Sequence, residues 1–207
     1  MSKIVVSEFV TLDGVMEAPG GEPGHPHTGW VFDFMSDEQI QYKLEETLEA
    51  DSLLIGRGTY ESFAEAWPKR SGDFADKLNA MPKYVVSTTL RDPGWNNSVV
   101  ISTDVVGEIR RLQERVGGPI LVHGSRTLVH TLMGHDLVDE WRLMVFPVVL
   151  GSGRRLFPET RSKTVLRLVD SKPFSSGVVV QTYHPTSRAQ PGWSDERLEE
   201  QLRQARR

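Results

Sequence analysis

The chain alternates short runs of branched and aromatic residues with segments whose apolar residues recur at helical spacing. Runs of the first kind are typical of β-strands. Eight strands are predicted, over residues 4–9, 52–55, 84–87, 99–101, 120–122, 141–149, 165–169 and 178–183. Helices are predicted over residues 37–50, 60–67 and 104–116, with a fourth that follows Ser125 and ends near Gly134.

The first predicted helix has an apolar stripe. Ile40, Leu44 and Leu48 fall at positions i, i+4 and i+8, so we expect this face to pack against the sheet. Ser36, followed three residues later by Gln39, forms a capping box that marks the start of the helix.

The order of the elements predicts the fold class. Strands and helices alternate up to residue 134, and such alternation is typical of a parallel sheet covered by helices on both faces. The last three strands follow one another without long helices, which predicts an antiparallel edge. The predicted class is therefore α/β, with three α/β/α layers and a mixed, mainly parallel eight-stranded sheet.

A chain of 207 residues suits one domain with an appended tail. We place the domain over residues 1–185 and the tail over residues 186–207. Ser194 can cap a short charged helix in this tail, which either packs on the domain or a partner subunit or frays. Residues 15–30 are rich in Gly and Pro and form a long loop after the first strand; such loops are usually functional or disordered.

The composition excludes several classes of function. A net charge of -4 provides no basic excess for binding nucleic acid. The absence of Cys rules out disulfides, thiolate metal sites and cysteine nucleophiles, and it favours a cytoplasmic protein. No apolar run has the length of a membrane span, and the first ten residues do not match a signal peptide.

Polar residues gather at three predicted strand ends. They are GRGT at residues 56–59, STT at residues 87–89 and GSRTL at residues 124–128. In a parallel sheet the carboxyl ends of the strands share one edge, where ligands bind. Two helix N-termini, several hydroxyls and two Arg side chains suit a nucleotide with more than one phosphate. Each segment alone has a simpler interpretation, such as a surface salt bridge for Arg57 or an N-cap for Ser125.

Five separated motifs resemble the dihydrofolate-reductase-like superfamily. They are SEFVTLDG, GRGTYESF, KYVVSTTL, ILVHGSRTL and LVDEWRLMVFPVVLGSGRRLF, and with the superfamily's order and spacing they cover about residues 3–184. They are most similar to the group built on the reductase domain of the bifunctional riboflavin-biosynthesis deaminase-reductase. The resemblance implies the dihydrofolate-reductase-like fold, NADPH as cofactor and a homodimer, because members of the superfamily pair through their sheets.

The resemblance also implies which residues bind the cofactor. Arg57 matches the Arg that approaches the 2′-phosphate of NADPH, and the helix start after Gly124 matches the cradle of the pyrophosphate. The full set is Gly56, Arg57, Thr59, Ser87, Thr88, Gly124, Ser125, Arg126 and Thr127. Independently, an Arg beside hydroxyls suits a 2′-phosphate, and no acidic residue stands there for the free 2′-hydroxyl of NADH.

Fewer residues match the positions at which the family binds its substrate. Asp13 and Trp30 match the loop that closes over the nicotinamide, and Asp33 lies closest to the acidic residue that holds the pterin in dihydrofolate reductases. His123 stands where riboflavin reductases often have an acidic residue, so Asp33 and His123 are the candidate catalytic residues. The Ser-Lys-Trp substrate segment of those reductases has no counterpart here.

Two functions remain open at this point. The first is an NADPH-dependent reductase that transfers a hydride to a small heterocycle; the second is a non-catalytic domain that binds a nucleotide or another copy of itself. His25 and His27 lack a third ligand, so we expect no metal site. The GSGRR segment, residues 151–155, suits either a substrate phosphate or a hairpin turn with solvated arginines.

Overall fold

The computed structural model describes residues 1–159 and 163–186, together with position 204. Its strands are β1 (Ile4–Thr11), β2 (Ser52–Gly56), β3 (Lys83–Val86), β4 (Ser98–Ile101), β5 (Ile120–Val122), β6 (Glu140–Phe146), β7 (Leu166–Pro173) and β8 (Val179–Pro185). They form one sheet in the order β4-β3-β2-β5-β1-β6-β8-β7. Strands β1 to β6 run parallel, whereas β8 is antiparallel to both β6 and β7. The mixed sheet with an antiparallel edge is thereby confirmed.

The five α-helices of the described residues are α1 (Asp37–Glu49), α2 (Arg57–Ala66), α3 (Asp73–Ala80), α4 (Val105–Arg115) and α5 (Arg126–Gly134). Helix α3 was not predicted, because its eight residues are too few for a helical repeat to be recognised. Helices α2 and α3 pack on one face of the sheet and α4 and α5 on the other. The three-layer arrangement is confirmed.

The two faces of β1 belong to two different layers of the core. Ile4 and Val6 pack in a cluster with residues of α4 and α5, whereas Val5 packs with residues of α2 and α3. Alternate side chains of a strand point to opposite faces, so this central strand is covered on both sides. Such burial explains why its sequence reads as an almost continuous apolar run.

Helix α1 faces the opposite way from the prediction. Ile40 and Leu48 are 51% and 49% exposed, whereas Gln39, Glu46 and Thr47 are the buried residues of the helix. The predicted apolar contact face is therefore wrong. The reason is that the sheet surface beneath α1 carries polar groups, which pair with the buried polar side chains of the helix. The predicted cap is confirmed, since Gln39 N donates to Ser36 Oγ.

The loop that follows β1 is tied to the segment that follows β6. Gly151 N donates to Asp13 Oδ2 over 2.9 Å, and Arg154 Nε donates to Glu17 Oε1 over 2.8 Å. Met16 N also donates to Arg154 O. These bonds give the GSGRR segment a structural role, since its backbone and Arg side chains hold the loop in place.

Across residues 1–159 and 163–186, the helices are too short or too polar to cross a membrane. The predicted tail lies outside the described residues, apart from positions 186 and 204.

Candidate functional site

The middle of the sheet contains a topological switch point. Strands β5 and β1 are neighbours, and their last pair is Val6 with Val122. Beyond this pair the chain leaves β5 towards α5 on one face, while the chain from β1 continues to α1 on the other. The carboxyl ends of the two strands therefore border a crevice, which is where open α/β sheets bind ligands.

Beside this crevice, the β2–α2 and β5–α5 turns are bonded to each other. Gly56 N donates to Ser125 Oγ over 2.8 Å, and Ser125 N donates to Thr59 Oγ1 over 2.9 Å. The Ser125 hydroxyl also lies 3.0 Å from Thr59 Oγ1. We call this set of bonds the Thr59–Ser125 junction. It brings two segments that the sequence assigned to one cofactor into direct contact.

Gly124 permits the close approach of the two turns. Its φ is +56°, and a Cβ at this position would lie 2.8 Å from Thr59 Oγ1. Only glycine combines a left-handed backbone with so little space. Ser125, the residue before α5, also has a positive φ of 57°, and its side chain is held by the junction.

The start of α5 presents donors to an anion. The N–H groups of Arg126, Thr127 and Leu128 have no acceptor within the helix, because the first turn lacks a preceding carbonyl. Gly124 N is already bonded to Glu8 Oε2 over 3.0 Å and Ser125 N to Thr59. Of the N–H groups at this turn, those of the first helical turn, rather than those of Gly124 and Ser125, can therefore bind an anion.

The two Arg side chains of the prediction differ in their surroundings. Arg57 is 54% exposed and its Nη1 lies 3.0 Å from Glu61 Oε1. An exposed pair of this kind contributes little stability, so the guanidinium is available to an incoming phosphate. Arg126 Nε donates to Arg155 O over 2.7 Å, which ties α5 to the segment after β6.

The end of β3 lies next to the end of β2. Gly56 pairs with Val86, so Ser87 and Thr88 follow directly along the same edge. Ser87 Oγ accepts hydrogen bonds from the backbone N–H groups of Thr89 and Leu90 at 3.1 and 2.9 Å. Thr88 is exposed. These two residues thus extend the polar edge away from the crevice.

On the α1 face of the crevice lies a cluster of polar side chains that we call the α1 polar cluster. Lys43 Nζ donates to Ser7 Oγ over 2.8 Å and also to Glu46 Oε2. His123 Nδ1 lies 2.9 Å from Ser7 O. The cluster consists of Ser7, Lys43, Glu46, His123 and Arg142. Of these, only His123 was predicted, because Lys43 and Glu46 fall on the helix face that was expected to be exposed.

The surroundings of His123 fix its charge and tautomer. Burial, followed by the charge of Lys43, lowers the pKa of His123 to about 4, so the ring is neutral at pH 7. A carbonyl oxygen only accepts, so Nδ1 carries the proton and donates to Ser7 O. The Nε2 atom is then a hydrogen-bond acceptor. Burial alone would raise the pKa of Glu46, but the opposing effects of its neighbours, led by the charge of Lys43, together outweigh burial and leave the pKa below its ordinary value.

The other predicted residues lie outside this cluster. Asp13 binds the backbone of Leu150 and Gly151, and the hydrogen bond from Thr11 together with these N–H groups lowers its pKa. Trp30 is buried, donates from Nε1 to Glu17 O and packs edge-on against Phe146.

Asp33 is exposed on a short 3-10 turn, Phe32–Phe34. His25 Nε2 lies 3.2 Å from Ser152 O, and its Nδ1 accepts from His27 N. No group of three His, Asp or Glu suited to a metal occurs in the described part of the chain.

Comparison with known proteins identifies the family. The model of the RibD C-terminal domain matches residues 2–180. The chain belongs to the RibD C-terminal domain family. A relative in this family, the uncharacterized protein YyaP of Bacillus subtilis (strain 168), is 30% identical over 191 residues, which cover 88% of this chain and 94% of YyaP.

Solved structures agree with this RibD-type fold. A putative riboflavin biosynthesis protein from Shewanella sp. PV-4 has a TM-score of 0.70 at 20% identity, with 89% of this chain and 99% of that chain covered. Dihydrofolate reductase from Enterococcus faecalis, complexed with NADP(H), has a TM-score of 0.56 at 17% identity, with 89% and 97% covered. These similarities show the reductase-like fold that the sequence motifs predicted.

Proposed function

We propose that this RibD-type protein is an NADPH-dependent reductase that transfers a hydride to a small heterocyclic substrate. The observation that carries the proposal is the Thr59–Ser125 junction, which sets two helix N-termini side by side at the carboxyl edge of the sheet. Helix N-termini favour negative charge, and two of them suit the pyrophosphate and the adenosine phosphate of one dinucleotide.

The residues of the edge fit NADPH in particular. Gly124 lets the two turns pack against each other, and the exposed Arg57 with the nearby Ser87 and Thr88 suits a 2′-phosphate. NADPH, when bound, supplies the hydride. The protein's part is then to orient the nicotinamide at the crevice, where β1 and β5 separate, and to hold a substrate on the α1 side.

The α1 polar cluster supports a substrate with neighbouring N–H and C=O groups. Neutral His123 offers an acceptor at Nε2, and Lys43 has three N–H groups, of which two are donated to Ser7 and Glu46. Both side chains are anchored on Ser7, so an acceptor and a donor lie close together. A lactam edge, as in oxo-pyrimidines and pterins, presents the complementary pair. Lys43 and His123 therefore replace Asp33 as our candidates for substrate contact.

The first experiment measures cofactor affinity through nicotinamide fluorescence. Wild-type protein should bind NADPH more tightly than NADH. Arg57→Ala should weaken NADPH binding by about 1.5 to 3 kcal/mol, the contribution of a charge-assisted hydrogen bond, which is roughly 10- to 100-fold. The same substitution should leave NADH affinity nearly unchanged, because NADH lacks the 2′-phosphate.

Arg167→Ala is the matched control, since Arg167 is exposed on the distant strand β7. Equal NADPH affinity in Arg57→Ala and Arg167→Ala would contradict the assignment of Arg57. If NADPH binds but no pterin, pyrimidine or related lactam causes its oxidation, the second function, a non-catalytic nucleotide-binding domain, becomes the better description.

A further inference from the structure

Glu8 is a buried carboxyl group on β1, two residues beyond the last pair of β1 with β5. Its side chain is 4% exposed. Glu8 Oε2 accepts a hydrogen bond from Gly124 N over 3.0 Å, so the carboxyl group lies against the turn that opens α5. It belongs to neither the Thr59–Ser125 junction nor the α1 polar cluster, and the sequence motifs gave it no role.

One oxygen of this carboxyl group has no partner. Glu8 Oε1 is buried without a hydrogen bond within the described residues. Burial raises the pKa of Glu8 well above its ordinary value, more than the bond from Gly124 and the charge of Lys43 lower it. This shift favours the protonated form of the group, which has one O–H donor and one carbonyl acceptor.

A buried polar atom without a partner is unfavourable, and each one in a native protein calls for an explanation. The missing partner must reach the crevice and must complement a carboxylic acid. A primary carboxamide does so, because its oxygen accepts from an O–H and its NH2 group donates. The nicotinamide ring of the proposed cofactor carries such a group, and the crevice at the switch point is where that ring belongs.

We propose that Glu8 is the residue that binds the carboxamide of the nicotinamide ring. This inference rests on the proposed function. Glu8 would pair with the carboxamide on the face of the sheet that carries α5, while the α1 polar cluster remains available to the substrate on the opposite face. Glu8 is thus a positioning residue, which fixes the rotation of the ring about its bond to the ribose.

The test compares three ligands by calorimetry on the full chain. They are NADPH, its analogue in which an acetyl group replaces the carboxamide, and 2′,5′-ADP, which lacks the nicotinamide altogether. Wild-type protein should prefer NADPH over the acetyl analogue. Glu8→Leu should lower NADPH affinity roughly 10- to 100-fold, the effect of two lost hydrogen bonds, and abolish that preference without changing 2′,5′-ADP binding.

Glu8→Gln is the conservative control, since an amide also donates and accepts. It should keep NADPH affinity within about threefold. Should Glu8→Leu fail to fold, the carboxyl carbon-13 resonance of Glu8 in the wild type provides a second measurement, assigned by its loss in Glu8→Gln. It should shift on addition of NADPH and stay in place with 2′,5′-ADP.

The outcomes separate the two proposals. The role of Glu8 would be overturned, and the proposed function left intact, by two results. In both, the protein binds 2′,5′-ADP and NADPH, but either Glu8→Leu still prefers NADPH over the acetyl analogue or the Glu8 resonance does not shift. Failure of the wild type to bind 2′,5′-ADP and NADPH at all would overturn both.

Discussion

Lys83 is a fully buried cation at the start of β3. Its Nζ donates to the backbone carbonyls of Asn79, Met81 and Asn96 at 2.8 to 2.9 Å, and it lies 4.3 Å from the centre of the Trp95 ring. Three acceptors and one aromatic face account for all the hydrogen-bonding capacity of an ammonium group. The side chain therefore fastens the chain segments before β3 and before β4 to each other.

We predict that Lys83→Met lowers the free energy of unfolding by about 3 kcal/mol. The apolar side chain fills similar space but leaves three carbonyls without their donor, and unsatisfied buried groups are costly. Urea denaturation at neutral pH measures the effect. Lys69→Met is the control, because Lys69 is exposed and its loss should change stability by less than about 0.5 kcal/mol. Identical urea denaturation curves for Lys83→Met and Lys69→Met would contradict the stabilising role of Lys83.

His123 should make stability depend on pH. Its pKa of about 4 in the folded state lies below the ordinary value of 6.5, so between these values the unfolded chain binds more protons. The contribution of His123 to the free energy of unfolding therefore rises with pH from 4 to 6.5, by up to about 3 kcal/mol. Denaturation of wild type and His123→Asn at pH 4.5 and pH 7.5 tests this prediction. The free energy of unfolding should increase less between the two pH values in the variant than in the wild type. An equal increase in both proteins would refute the prediction.

Helix α1 provides a test at the level of an element. Ile40 faces outward, whereas Ile109 of α4 is completely buried. Ile40→Gln should therefore change the free energy of unfolding by less than about 0.5 kcal/mol. Ile109→Gln should cost more than about 3 kcal/mol, since it removes a buried apolar side chain and buries an amide. If thermal or urea denaturation showed similar losses of stability for Ile40→Gln and Ile109→Gln, Ile40 would face the sheet, as the sequence predicted.

The orientation of α1 also shows where sequence patterns fail. Apolar periodicity assumes that the surface beneath a helix is apolar, and here β1 and β6 present Ser7 and Arg142 to the helix. The central strands were predicted well, because burial on both faces makes them nearly continuous apolar runs. The segments predicted to bind the cofactor could be picked out from the sequence because each is local, a strand end with its turn. The α1 polar cluster was missed because Ser7, Lys43 and His123 lie far apart in sequence and only the fold unites them.

For the whole molecule, we expect a homodimer. Strand β7 lies at the edge of the sheet and is exposed along nearly its whole length, with Leu168 50% exposed. Exposed apolar edge strands tend to pair with another chain. Sedimentation of the 23.3 kDa chain at micromolar concentration should give twice this mass, and Leu168→Lys should shift the equilibrium towards the monomer. A monomer at all concentrations would refute the expectation.

The position of β1 in the sheet has a consequence for synthesis of the protein. β1 leaves the ribosome before the other strands of its sheet, yet Ile4 pairs with Ile120 and Val5 with Glu140. At translation rates of about 5 to 20 residues per second, this apolar strand waits for several seconds before either neighbour exists. Chains interrupted before β5 would lack the centre of the sheet and the crevice together. The nascent protein should therefore depend on chaperones that shield apolar strands until the second half of the chain has emerged.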